Sequence, residues 1–219
     1  MKRILITGAN RGIGLELCRQ LANRGDEVIA VCRQAGEQLN ALNLRVIEGI
    51  DVSAAGSVGG LQNQAGIESL DWLINNAGIL SVESLGSLDY EAMERQFTVN
   101  ALGPLRVTEA LLSRLGPGSK VGIVTSRMGS VEDNTSGGYY GYRMSKAAVN
   151  MAGMSLAQDL KERLIAVALL HPGMVATDMT GGRGVAPEQS AGGLIKRMDA
   201  LTMEDTGSFW HAEGERLPW

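Results

Sequence analysis

The first chemistry in the chain is an anion site. Thr7-Gly8-Ala9-Asn10-Arg11-Gly12-Ile13-Gly14 follows the apolar run Arg3–Ile6 and leads into a stretch with helical periodicity. Glycines at a strand-to-helix turn allow a tight bend, let the backbone approach a pyrophosphate and bring helix against sheet. The helix start adds unpaired N–H groups and the positive end of its dipole. Gly8, Asn10, Arg11, Gly12, Ile13 and Gly14 are therefore candidate phosphate-binding residues. Their spacing is G-x3-G-x-G, not G-x-G-x-x-G, and glycine-rich turns also serve packing alone. At the end of the second apolar run stands Val31-Cys32-Arg33-Gln34, with no acid before Glu37. A carboxylate there would bind the free ribose hydroxyls of NAD, whereas an arginine accommodates a 2′-phosphate. Planar guanidinium donors on Arg33 and Arg11 suit that phosphate. The pattern predicts NADP(H), with two solvated surface arginines as the alternative.

A second pair of side chains stands one helical turn apart. Tyr142 and Lys146 fall four residues apart on a pattern that predicts a helix from about Tyr140 to Arg163. Tyr139 and Tyr140 compete with Tyr142, but neither has a lysine four residues on, and Arg143 after Tyr139 does not titrate.

The elements that must position these groups alternate from end to end. Candidate strands are Arg3–Ile6, Glu27–Cys32, Arg45–Gly49, Trp72–Asn75, Lys120–Thr125, Ile165–Leu170 and Ser208–His211. Between them lie helical faces: Leu15, Cys18 and Leu21; Met93, Phe97, Asn100, Ala101, Val107 and Leu111; Ala147, Met151, Met154 and Leu156. Strand–helix alternation predicts a doubly wound α/β sheet of seven mostly parallel strands, in one domain over residues 1–219.

Composition bounds the rest. The 219 residues are 44% hydrophobic and 20% charged, with 29 glycines, 4% aromatics and a net charge of −4. These values exclude disorder and a small stapled scaffold, and leave an aliphatic core. Scattered Lys and Arg argue against a nucleic-acid or anionic-membrane surface. No apolar run approaches the ~20 residues of a bilayer span, and Ile4-Leu5-Ile6 is too short for a signal core of about 7–15 residues. Cys18 and Cys32 form no disulfide framework, so a reduced cytoplasmic setting is expected. His171 and His211 lack partners at metal-ligand spacing; they read as structural, and no metal is expected. Met144, Met151 and Met154 read as core or helix interface.

Further signals fall in order: Asp51-Val52 after the third strand, Asn75-Asn76-Ala77-Gly78 after the fourth, Ser126 after the fifth, then Tyr142-Arg-Met-Ser-Lys146, then Pro172-Gly173 with Thr177. With the glycine turn, this set resembles the short-chain dehydrogenase/reductase family over essentially the whole chain. It is closest to short carbonyl-reductase-like and C-factor-like members, through Gly137–Lys146 and Leu217-Pro218-Trp219.

The resemblance implies a Rossmann sheet and an NADPH-dependent reduction of a ketone or aldehyde. Tyr142 would protonate the carbonyl oxygen. Lys146 would lower the phenol's pKa from about 10 toward neutrality and hold the nicotinamide ribose. Ser126 would fix the substrate oxygen, and Asn100 would anchor a water in a proton relay from Lys146. Asp51 and Val52 would contact adenine; Asn76, Ala77 and Gly78 the adenosine side and sheet centre; Pro172, Gly173, Val175 and Thr177 the carboxamide region.

The run Thr125-Ser126-Arg127-Met128-Gly129 departs from the family's usual pair of serines and puts the shape of that wall in question. Asp178–Pro187 reads as a short, glycine-containing lid, and Ser81–Leu88 and Ser130–Tyr140 as polar side walls. The resemblance implies a small carbonyl or alcohol as substrate. Leu102, Leu105, Met151 and Met154 would serve a core or a homodimer interface. The alternative function is an NAD(P)-binding regulatory or developmental signalling protein of the C-factor type.

Overall fold

A computed structural model describes residues 1–64 and 67–219. The main elements are β1 (Arg3–Thr7), α1 (Gly12–Asn23), β2 (Glu27–Val31), α2 (Glu37–Asn40), β3 (Arg45–Ile47), α3 (Ala55–Gly59), β4 (Leu70–Asn75), α4 (Tyr90–Phe97), α5 (Gly103–Ala110), β5 (Leu115–Val124), α6 (Tyr140–Asp159), β6 (Ala166–His171), α7 (Pro187–Ala200) and β7 (Ser208–His211). The strands pair in the order β3-β2-β1-β4-β5-β6-β7, and every pairing is parallel. The sheet is thus wholly, not mostly, parallel.

Parallel strands are covered on both faces, so they read as continuous apolar runs. Successive residues go to opposite cores. On one face Leu5, Ile29, Leu73, Val121, Val167 and Leu169 pack with Val107, Leu111, Val149 and Ala157. On the other, Ile4, Val28, Ala30, Trp72, Ala168 and Leu170 pack with Leu17, Cys18, Leu21, Ala191, Leu194 and Met198. The strand order reverses between β1 and β4, which opens a crevice at their carboxyl ends. The glycine turn and Asn76 both sit there.

Several local expectations are corrected. β5 begins at Leu115, ahead of Lys120, because Leu70 pairs with Leu115 before a register irregularity. α6 stops at Asp159, and the chain turns through Leu164 at φ 55°. The expected helix from Met93 to Leu111 is interrupted: Thr98–Leu102 winds as a π-helical turn in which the Gly103 N–H reaches back to the Thr98 carbonyl. Asn100 lies at its centre, and such turns are frequent at functional sites.

Phe97 is exposed rather than core-facing, and so are Met144 and Met151. α6 instead meets the sheet through small residues: a Cβ on Gly153 would fall 2.7 Å from Leu169. That close approach turns the methionines outward.

Candidate active site

The glycine turn is braced from β4. Asn76 Nδ2 donates to the carbonyls of Thr7 (3.0 Å) and Gly8 (3.2 Å), while Thr7 Oγ1 accepts from the N–H groups of Asn76 (3.1 Å) and Ala77 (3.2 Å). A Cβ on Gly14 would lie 2.2 Å from the Gly8 oxygen, and one on Gly8 would lie 2.8 Å from Ala77 Cα. Only glycine fits either place. Asn76 therefore stands at the sheet centre with its amide committed to the turn. α1 starts behind Arg11 with extended backbone and no side-chain cap, which leaves its first N–H groups for an anion.

Arg11 and Arg33 are both exposed. Arg11 Nη1 lies 3.3 Å from Asp178 Oδ2, so the turn is linked to the start of the lid. Thr177 Cγ2 would meet a Cβ on Gly12 at 3.2 Å, which brings Thr177 over the turn as well. Asp51 accepts from Ser53 N–H (2.9 Å) and Ser53 Oγ (2.7 Å). Those bonds, with a weaker pull from the Arg33 guanidinium, hold its carboxyl below the usual carboxylate range. Val52 is buried, facing Gly103 of α5, where a Cβ would lie 3.0 Å from Val52 Cγ2. Glu48, at the end of β3, accepts from the Ala35 N–H at 2.5 Å. It brings near Arg33 an acid that the order of residues along β2 does not show.

The Tyr142–Lys146 pair is buried at the other side of the crevice, with Tyr142 8% and Lys146 4% exposed. Lys146 Nζ lies 5.7 Å from the centre of the Tyr142 ring and donates to the Val124 carbonyl at 3.0 Å. Gly78 passes beside it, where a Cβ would lie 3.7 Å from Nζ and 3.3 Å from Asn100 Oδ1. Ser126 ends β5 as the cap of a short 3₁₀ turn, its Oγ accepting from Met128 N at 3.1 Å. That loop presses on α6 next to the lysine: a Cβ on Gly129 would be 2.8 Å from the Lys146 carbonyl oxygen. Buried Asn150 secures it, accepting from Thr125 Oγ1 at 2.7 Å and donating to the Gly129 carbonyl at 3.4 Å. Asn100, Ser126, Tyr142 and Lys146 thus converge.

The titration differs from expectation. Burial pushes the Tyr142 phenol up to about 12, with the neighbouring Ser126 hydroxyl working in the opposite direction. Burial also pushes the Lys146 ammonium down to about 8. Desolvation disfavours the charged form of each and is the leading cause of both shifts. At neutral pH the phenol keeps its proton, which suits a donor, and the lysine remains largely cationic.

β6 delivers the third wall. Pro172 accepts from Ser190 Oγ at 2.8 Å, and Gly173 turns at φ 83° beside the His211 ring. Buried Val175 bridges to Val185, closing the base of the lid, and the Thr177 N–H donates to Thr180 Oγ1 at 3.2 Å. His171 and His211 meet edge to face at 4.9 Å. Burial, with the charges of His211, Arg127 and Lys146, pushes the His171 imidazole down to about 3.

Arg127 points into a clasp. It pairs with Asp133 at 3.2 Å and with Glu215, while the Trp219 carbonyl accepts from Ser130 Oγ (3.0 Å) and Glu132 N (2.9 Å). The side walls also differ from the polar reading: Val82, Leu85 and Val131 are exposed on these loops and Met179 on the lid, with exposed Met174 just after β6. Among the described residues no helix is long and apolar enough to cross a membrane, and no His/Cys/Asp/Glu group could hold a metal.

Glu48, Gln96, Glu83 and Asn150 were not foreseen. Each meets partners across long sequence separations, where spacing carries no signal.

Comparison with known proteins agrees with this architecture. The chain is 47% identical over 227 residues, covering all of both chains, to a Rhodococcus protein named 1-hydroxy-2-glutathionyl-2-methyl-3-butene dehydrogenase. It is 49% identical over 154 residues to the C-signal protein of Myxococcus xanthus, covering 68% of this chain and 93% of that one. The structure of NADPH-bound carbonyl reductase from chicken fatty liver superposes with a TM-score of 0.91 at 30% identity, over 100% of this chain and 99% of that one. Residues 2–186 match the family model described as short chain dehydrogenase. The chain belongs to the short-chain dehydrogenase/reductase family of oxidoreductases.

Proposed function

We propose that this oxidoreductase uses NADPH to reduce a ketone or aldehyde, with Tyr142 as proton donor. The observation that carries the reading is the buried Lys146 ammonium 5.7 Å from the Tyr142 ring, with the buried Ser126 hydroxyl next to the phenol. What supports a dinucleotide here is the α1 start, which has no side-chain cap and leaves its first N–H groups for a pyrophosphate, on a turn that Gly8 and Gly14 pack tightly against their own backbone and Ala77. Gly8, Asn10, Arg11, Gly12, Ile13 and Gly14 would hold the pyrophosphate. Arg33 and Arg11 would hold the 2′-phosphate, Asp51 and Val52 the adenine, and Ala77 and Gly78 the sheet-centre side. Pro172, Gly173, Val175 and Thr177 would hold the carboxamide. When bound, the reduced nicotinamide supplies a hydride.

The chain's own residues do the rest. Ser126 and the Tyr142 hydroxyl orient the carbonyl oxygen. As that oxygen gains charge, Tyr142 passes it the proton from Oη, because an alkoxide is the stronger base. The Lys146 ammonium stabilises the phenolate left behind, and solvent would restore its proton through Lys146 and a water anchored at Asn100. The apolar side chains on the walls favour a substrate with an apolar body. Pairing of two copies through α5 and α6, by way of Leu102, Leu105, Met154 and the exposed Met151, and a cytoplasmic location with both cysteines free belong to the same reading.

The test is Tyr142→Phe against aromatic aldehydes, diketones and quinones. Turnover falls by about 10²–10⁴-fold, the usual worth of a general acid, while NADPH binding persists. Full activity in this variant ends the mechanism. The likeness to C-signal supports a second reading, a cofactor-binding regulator. Tight NADPH binding with no turnover on any carbonyl, or on a hydroxyl-bearing glutathione thioether with NADP⁺, would favour it.

A further inference from the structure

The loop after β4 is held by two amides on one face of the interrupted helix. Asn100 brackets Ile79: its Oδ1 accepts from Ile79 N at 2.8 Å, and its Nδ2 donates to Ile79 O at 2.8 Å and to Ser145 Oγ at 3.0 Å. One turn earlier, fully buried Gln96 accepts from Ser81 N at 3.0 Å and donates to Ser81 Oγ at 2.6 Å and to Glu83 Oε1 at 2.7 Å. This chain of bonds ends on a carboxylate that is only 2% exposed.

Glu83 pairs with no lysine or arginine among the described residues. Its Oε1 also accepts from Ser81 Oγ at 2.5 Å, and its Oε2 accepts from the Gly141 N–H at 3.1 Å. Gly141 lies in the first turn of α6, immediately before Tyr142. α6 has no cap of its own, because Tyr139 enters it at φ 52° with no side-chain bond, and the Tyr139 N–H donates instead to the Glu83 carbonyl at 2.9 Å. A buried carboxylate needs compensation, and here it comes from donors on two elements and the positive end of a 20-residue helix. The fit leaves no slack: a Cβ on Gly141 would fall 2.4 Å from Gln96 Nε2.

We propose that Glu83 is a positioning residue for Tyr142: its carboxylate caps α6 from the β4 loop and so fixes where the phenol stands relative to the substrate. This rests on the reading of Tyr142 as proton donor. Gln at position 83 keeps the shape and one acceptor, yet it aims an NH₂ group at Ser81 or Gln96, which already donate there. Ala removes the cap altogether.

The experiment compares Glu83→Gln and Glu83→Ala with the parent protein. It reads NADPH Kd by fluorescence, kcat and KM per NADPH-binding site, and the primary isotope effect with 4-deuterated NADPH. The expected result is a graded loss of kcat, about tenfold for Gln and about a hundredfold for Ala, within the range of proton-transfer catalysis. The isotope effect rises in both variants as chemistry becomes limiting, and NADPH Kd stays within about twofold, below the scale of a lost hydrogen bond. Unchanged kcat per binding site overturns the proposal, as does parallel loss of NADPH binding and turnover in Glu83→Gln, which would mark a purely structural role. Should Glu83→Ala fail to fold, Glu83→Gln decides. Activity surviving in Tyr142→Phe would defeat the underlying reading instead, whatever the Glu83 variants do.

Discussion

On the phosphate side of the crevice, a Cβ at Gly14 would fall 2.2 Å from a backbone oxygen; on the substrate side, Gly137, Gly181 and Gly182 turn at φ 64°, 61° and 76° with no atom within 4 Å of theirs. The first set of glycines is required for space, the second for chain direction. Backbone packed on backbone cannot yield, whereas an open loop can absorb a strained residue at modest cost. The phosphate side is thus a rigid fixture, whereas the substrate side is tight only at the bases of its loops, where a Cβ on Gly184 would fall 2.0 Å from the Met174 oxygen, and open at their outer turns.

The sharpest break of that contrast is Gly14→Ala, which should abolish NADPH binding and collapse the yield of folded protein. Gly182→Ala should cost only about 1 kcal/mol, a Tm shift of about 2–4 °C for a chain of this size. Equal behaviour of the two would erase the distinction. Arg33→Asp comes next: NADPH Kd should rise about tenfold or more, the worth of one charge-assisted bond, while NADH binding holds or improves. Unaltered Kd for both cofactors would remove Arg33 from the site. The smallest effect is in pH. Burial lowers the Lys146 ammonium to about 8, so the cation is present below that pH and is lost as pH rises through it. Reductive kcat should be flat below about pH 8 and decline above it. A profile level to pH 10 would detach Lys146 from the proton transfer.

The glycine turn and the Tyr142–Lys146 spacing could be read in the sequence because each is local: a strand-to-helix turn and a single helical turn set the geometry by themselves. Ser126 and Asn100 were placed only through their order among the strands. Glu83 lay outside reach because its carboxylate meets Gly141 across 58 residues, with only tertiary packing to join them. Glu48 was hidden for the same reason, standing just after β3 while bonding to Ala35 in the loop that follows β2. Met151 shows the opposite limit, since apolar spacing marks a stripe without saying whether it faces the core or a partner, and the core half of that reading fails on its exposure. The phenol's direction of titration was misjudged because the spacing reveals the ammonium but not the depth of burial around both groups.

The clasp between the Ser126 wall and Trp219 has a consequence for how the protein is made. Ser130 and Trp219 are 89 positions apart, and the Arg127–Glu215 contact spans 88. During synthesis a chain emerges from its N-terminal side first, so the glycine turn and the tyrosine helix leave the ribosome well before the segment that fastens this wall. A nascent chain halted near residue 200 would already carry every proposed cofactor contact, yet its substrate chamber would stand open. Competence for turnover should arrive abruptly once residues 201–219 are in place rather than grow with length.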